Sequence, residues 1–312
     1  MKVSLILYSL RDMMAKDPFT TVEEAAKLGY KYFEVCNHNA VNDNGCGFGV
    51  PAESLKSILD KYGAQVVSAH IFPLERSDIK AVIQYNRELG NTNIVNPMGH
   101  FSTYDDLMQQ CEQLNKMGKI CADEGMNYLY HNHHHEFYTF NGKSILDIMM
   151  ENTDPKYLSL ELDTFWVMRA GLSPVERLKY YGKRVRLVHQ KDFAWDSLAP
   201  INLIGLTPES KEMQPGQTVG MNPNSPYTKP GTPEYEEMMK QRAERMKIDG
   251  TAFTEIGFGI MDIQSIIDTA NEYTAAEYII LEQDMTRLPT QMDGVKKSME
   301  GFKKFTGLSW GA

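Results

Sequence analysis

The sequence predicts an α/β chain closed into a (β/α)8 barrel, and three observations carry that prediction. Eight short apolar runs alternate with eight longer helix-forming stretches along the 312 residues. The runs show no in-out alternation, so they read as strands buried on both faces, the habit of a parallel sheet covered by helices. Polar residues capable of chemistry gather at the C-terminal ends of those runs, where a parallel barrel keeps its working face. A doubly wound open sheet is the alternative, and eight strand–helix pairs fit the closed barrel better.

Taken in order, Val3–Tyr8 is the first strand-like run, and Thr21–Leu28 follows with helix formers that stop at Gly29. Tyr32–Cys36 precedes helical Ala52–Tyr62, and Gln65–Ile71 precedes helical Ser77–Leu89. Asn93–Pro97 is a weaker fourth run before the long helical stretch Tyr104–Glu124. Met126–His133 leads to Ser144–Glu151, and Leu158–Asp163 leads to Pro174–Tyr181. Val185–His189 is paired with helical Met261–Tyr273, and Tyr278–Glu282 with the closing helix Gly294–Phe305.

One segment breaks this rhythm. Between the seventh strand and its helix, residues 193–250 carry prolines at 200, 208, 215, 223, 226, 230 and 233, then a charged helical stretch, Glu234–Lys247. The expectation is a single barrel domain over residues 1–312 with a long βα-loop insertion at about 193–250. An insertion there sits on the working face, as a lid, a subunit contact or a plain surface excursion.

Composition narrows the class of protein. Hydrophobic residues make up 42% and charged residues 23%, enough for a sizeable core. A formal charge of −9 argues against nucleic acid as a partner, because phosphate binding needs a basic surface. Cys36, Cys46, Cys111 and Cys121 form no CxxC pair and read as reduced packing thiols. The apolar run that opens the chain meets Arg11 and Asp12 too soon for a signal segment or a membrane span. A cytoplasmic protein is expected, or a periplasmic one if a leader has been removed. A homodimer is an open expectation.

The strand ends carry the chemistry. They read AHI with His70, YHNHHHEF with His131 and His133, LELDTFW with Glu161 and Asp163, LVHQKD with His189 and Lys191, and ILEQD with Glu282. Residues two apart on a strand share a face, so these pairs can converge on one mouth. Carboxylates gathered with imidazoles need a countercharge, and a mixed N/O set suits Mn²⁺, Co²⁺, Fe²⁺, Ni²⁺, Mg²⁺ or Zn²⁺. Each residue alone has a plainer reading: a strand-end His in a core hydrogen bond, Asp163 as a helix cap, Lys191 as a solvated loop lysine. Four such residues on separate strand ends favour one divalent metal ion. Lys191, one inward step beyond His189, is a candidate base or electrophile. No Gly-rich phosphate cradle followed by Lys-Ser/Thr is present.

LDTFW at 162–166, LVHQKD at 187–192, TEIGFGIMD at 254–262 and YIILEQD at 278–284 resemble, in order and approximate spacing, motifs of the sugar phosphate isomerase/epimerase superfamily, the xylose isomerase-like TIM barrels. HNHHHEF at 131–137 and HQKD at 189–192 are similar to the branch of inosose dehydratases and of lyases or hydratases on 3-keto sugars. The resemblance implies one divalent metal ion, manganese among the choices, held by Asp163, His189, Glu282 and a fourth ligand. Where the family pattern has a Glu, this chain has His131, so either His131 or the loop residue Glu136 takes that role. Lys191, His133, Glu161 and Glu136 are then the candidate acid–base residues, and His70, Asn132 and Trp166 the candidate substrate contacts. The activity implied is proton abstraction next to a carbonyl of a sugar or keto sugar through a metal-stabilised enediolate, as in isomerases and epimerases. Elimination from a 3-keto sugar, keto-glycoside or inosose at the same site is the alternative. A metal-dependent endonuclease of the same barrel type is the rival within enzymes, and a non-catalytic sugar-binding barrel the rival from another class.

Overall fold

A computed structural model describes residues 1–221 and 231–311. Eight parallel strands close into a barrel: β1 (Lys2–Ile6), β2 (Tyr32–Asn37), β3 (Gln65–Ile71), β4 (Asn93–Asn96), β5 (Asn127–His131), β6 (Ser159–Asp163), β7 (Val185–Gln190) and β8 (Tyr278–Leu281), with β8 pairing back onto β1. All eight predicted runs are strands, displaced by a residue or two at their ends. Tyr8 falls outside β1 because the chain turns at Leu7–Leu10, and His133 lies beyond β5 for the same kind of reason.

Helices wrap the outside: α1 (Pro18–Leu28), α2 (Ala52–Lys61), α3 (Ile79–Glu88), α4 (Tyr104–Asp123), α5 (Ile145–Glu151), α6 (Thr164–Arg169), α7 (Pro174–Tyr181), α8 (Pro233–Asp249), α9 (Ile263–Tyr273) and α10 (Gln291–Phe302). Their starts are written locally. Thr103 and Thr290 cap α4 and α10 in reciprocal boxes with Asp106 and Asp293, while Asp17, Asp78, Ser144, Ser173 and Asp262 cap others. Two glycines let backbones touch. A Cβ on Gly118 of α4 would strike the carbonyl of Tyr157, and one on Gly301 of α10 the carbonyl of Ile256.

The apolar material divides into two cores. The larger lies between strands and helices and includes Leu5, Phe33, Val35, Tyr130, Leu160, Leu162, Val188 and Leu281. The smaller fills the lumen with Ile6, Cys36, Val67, Val95, Leu129, Leu187, Tyr278 and Ile280. Strand alternation does the rest. On β5, β7 and β8 the next inward position after Leu129, Leu187 and Ile280 is His131, His189 and Glu282, so a polar layer sits directly on the apolar plug.

After β7, Asp192–Phe193 pairs antiparallel with Phe253–Thr254, and the intervening excursion contains a short helix, Pro208–Lys211, and α8. Val219–Gly220 pairs with His100–Phe101 after β4, and Glu212 accepts hydrogen bonds from Thr139, Asn141 and Gly142 after β5. The excursion therefore lies against loops at the C-terminal ends of the barrel strands. Pro223, Pro226 and Pro230, part of the proline-rich stretch, lie outside the described residues. Among the described residues, no helix is long and apolar enough to cross a membrane. All four cysteines are free and buried.

Candidate metal centre

Register brings the polar strand ends together. His189 of β7 stands opposite Asp163 of β6, and His131 of β5 opposite Glu161 of β6. One donor atom from each of His131, Asp163, His189 and Glu282 lies within 4.8 Å of the others, and all four side chains are buried. Nδ1 of His189 is 3.0 Å from Oε2 of Glu282, and Nε2 of His131 is 3.8 Å from Oδ2 of Asp163. Asp163 divides its oxygens: Oδ1 accepts the Trp166 amide at 2.9 Å and caps α6, while Oδ2 faces the cluster.

Beneath these four lies a second tier that holds the rings in place. Oε1 of Glu34 is 2.9 Å from Nε2 of His189 and 3.1 Å from Nε2 of His70. Oε2 of Glu161 is 3.1 Å from Nδ1 of His131 and also meets Nε2 of His70. Each upper histidine thus has one ring nitrogen against a buried carboxylate. A bound metal ion would replace the proton on the nitrogen turned toward the cluster, which for His189 is the Nδ1 that meets Glu282, and the carboxylate on the other side would then fix the tautomer. His70, His131, Glu161 and His189 also lie within 4.8 Å of one another, but this lower quartet already pairs its donors internally.

Charge in the site is unbalanced. Burial pushes the Glu34 carboxyl up to about 7 and that of Asp163 up to about 6. Burial holds His70 down at about 4, His133 at about 3 and His131 well below the usual histidine range. Burial opposes the charge on His189, but Glu161 and Glu34 outweigh it and raise that ring well above the ordinary value. Lys191 is likewise kept protonated against burial, by Asp163, Asp284 and Glu282. Five buried or nearly buried carboxylates (Glu34, Glu161, Asp163, Glu282, Asp284) therefore face Lys191 and His189 as the charged partners, and Oε1 of Glu161 is buried with no partner. A donor set of two imidazoles and two carboxylates, short of positive charge, is compatible with one divalent metal ion. His131, Asp163, His189 and Glu282 would hold it.

The remaining candidates fall at different depths. Lys191 Nζ lies 3.0 Å from Asp163, 2.7 Å from Glu282 and 3.2 Å from Asp284, and 5.1 Å from the centroid of the Trp166 ring. The His133 ring is 5.1 Å from that of His131 and 5.6 Å from Trp166, which places all three along one wall of the mouth. Asn132 is structural at the backbone level: its Oδ1 accepts from the Asp163 amide and its Nδ2 donates to the Asp163 carbonyl. Glu136 is not brought to the cluster. Its oxygens accept from the Tyr130 hydroxyl and the His133 amide and approach His135, on the outer side of β5. His70, expected against substrate, is in the lower tier at 3% exposure. Glu34, Ser68, whose hydroxyl donates to Oε2 of Glu34, and Asp284 lie outside the residues that the sequence singles out. Glu34, in the apolar run YFEVC, was the visible signal, because a carboxylate amid strand residues buried on both faces needs partners.

The chain belongs to the family of xylose isomerase-like TIM barrels, whose model matches residues 22–305. Among curated relatives it is similar to the inosose dehydratase of Clostridium botulinum (strain Alaska E43 / Type E3), 39% identical over 79 residues, which is 25% of this chain and 26% of that one. The inosose dehydratase of Clostridium beijerinckii is 26% identical over 204 residues, 58% of this chain and 65% of that one. The matches thus span less than two thirds of either relative. A sugar phosphate isomerase/epimerase from Parabacteroides distasonis ATCC 8503 shares the fold, with a TM-score of 0.69 at 21% identity over 99% of this chain and 95% of that one.

Proposed function

We propose that this protein is a divalent-metal-dependent lyase of the dehydratase type, acting on a keto sugar or an inosose. The observation that carries the reading is the buried cluster of His131, Asp163, His189 and Glu282 with Lys191 against two of its carboxylates. The bound metal ion would polarise a substrate carbonyl and its neighbouring hydroxyl. His133, unprotonated and with its ring 5.1 Å from that of His131, would accept the proton from the carbon next to the carbonyl. Lys191, kept protonated, is suited to donate toward a departing oxygen. A separate base and acid of opposite charge state is what elimination needs, and the curated dehydratases support that choice over isomerisation or epimerisation. Glu161 and Glu34 position the two histidines, and Trp166 offers an aromatic wall to the sugar.

The reading is tested by incubating the metal-loaded protein with inososes and 3-keto sugars, in heavy water, and following products by NMR. Loss of water with one solvent deuteron incorporated supports the lyase. Exchange or inversion without loss of water moves the assignment to an epimerase, and no exchange on any keto sugar overturns the reading.

A further inference from the structure

Arg169 ends α6, one and a half turns beyond the cap residue Asp163, and its side chain is only 2% exposed. Arginine is seldom buried to that degree without a paired anion. Among the described residues Arg169 has no carboxylate within ion-pair distance, and its side chain donates no hydrogen bond. Its guanidinium lies among three rings, 5.4 Å from the centroid of Phe193, 5.6 Å from Phe165 and 5.9 Å from Trp166. Rings satisfy the faces of a guanidinium and leave its N–H edge unmet. Nε is buried and unpartnered.

The neighbours share that deficit. Nε1 of Trp166 and Nδ1 of His134 are both buried without a partner, and the two rings lie 5.5 Å apart. The Arg169 charge is felt at His134, helping to hold that ring down at about 4 after burial itself. Asp249, at the end of α8, acts on Arg169 electrostatically without contacting it. Here, then, are an arginine edge, an indole N–H and an imidazole nitrogen with no acceptor to meet them. The Trp166 ring also lies 5.1 Å from Lys191 Nζ, which in turn meets the carboxylates of Asp163 and Glu282.

We propose that the side-chain cluster of Arg169, Trp166 and His134 binds an anionic group, a carboxylate or a phosphate, carried by the substrate. A carboxylate or phosphate oxygen supplies the acceptors that this wall lacks, and planar bidentate pairing is the geometry that a guanidinium edge offers. The binding of an anion stands on these unpartnered polar atoms alone. That the anion is a substituent of a sugar rests on the proposed function.

The test uses the purified protein and its tryptophan emission. Sodium phosphate and sodium glucuronate are titrated separately at constant ionic strength, with sodium chloride as reference. A saturable change with either anion is expected, and the responding anion distinguishes phosphate from carboxylate. Arg169→Met should weaken it by about tenfold or more, the worth of one charge-assisted hydrogen bond, and Arg169→Lys by less. Trp166→Phe should remove the signal, and equilibrium dialysis of labelled phosphate or glucuronate should show binding weakened but present in that variant. If Arg169→Met fails to fold, His134→Ala supplies the same comparison. No saturable response to either anion, or an equal response in the Arg169 variants, overturns the proposal. Because no turnover is measured, an inactive metal site would not mimic that failure.

Discussion

Oε1 of Glu34 lies 2.9 Å from Nε2 of His189, and neither side chain has any exposed surface. By holding the ring proton on Nε2, that contact would leave Nδ1 of His189 for a metal ion. Glu34→Gln keeps the shape but can present its amide N–H to the ring and reverse the tautomer. Metal affinity, measured by competition with a chromophoric chelator, should fall by about 10- to 100-fold. Affinity equal to that of the native protein would show that Glu34 does not position His189.

Asp163 serves the cluster with one oxygen and the helix with the other. Asp163→Asn retains an acceptor for the Trp166 amide, whereas Asp163→Ala loses it. Both should abolish turnover and metal binding. Only the alanine variant should also lose about 1 kcal/mol of stability in urea melts. Equal stability of the two variants would count against the division of labour between the oxygens.

Lys191 uses the same oxygens of Asp163 and Glu282 that a metal ion would use. Lys191→Met should therefore abolish turnover while metal affinity at neutral pH holds or rises, because an ammonium no longer competes for those carboxylates. A variant that loses activity and metal together would make Lys191 part of the binding framework and not the acid.

His134 is held down at about 4, against an ordinary value of 6.5. Its folded pKa is the lower one, so the unfolded chain takes up a proton between those limits that the folded chain does not. Stability from this group is full above pH 6.5 and is lost as pH falls toward 4. Melting temperature should rise with pH across that window, and His134→Gln should flatten the slope. An unchanged slope would mean that His134 titrates alike in both states.

Gly118 sits where α4 meets the Tyr157 carbonyl. Gly118→Ala, though favourable for an isolated helix, should cost about 1–3 kcal/mol as the two backbones separate. Chemical denaturation measures it, and a stabilised variant would refute the close contact.

The fold was legible because each strand is a buried run and each helix a periodic one, so Gln65–Ile71 and Pro174–Tyr181 are read with the bounds they have in the structure. Asp163, His189, Glu282 and His131 were legible as strand-end residues of the right chemistry. Depth was not. Glu161 lies two residues before Asp163 and therefore one layer lower, and His70 of β3 meets it at that level through the stagger between strands. A sequence states order along each strand but not the offset between neighbours. Glu34 was missed for that reason too: it stands in mid-run on β2, and only the barrel's shear lifts it beneath His189.

The double duty of Asp163 bears on how related chains are to be judged. A descendant that had stopped catalysing would still gain from an aspartate at this place, since α6 begins on it. Its survival would be maintained by local folding and would say little about activity. Glu282 follows the end of β8 and caps no helix, so its loss is the earlier and more telling mark of a barrel that has retired from chemistry.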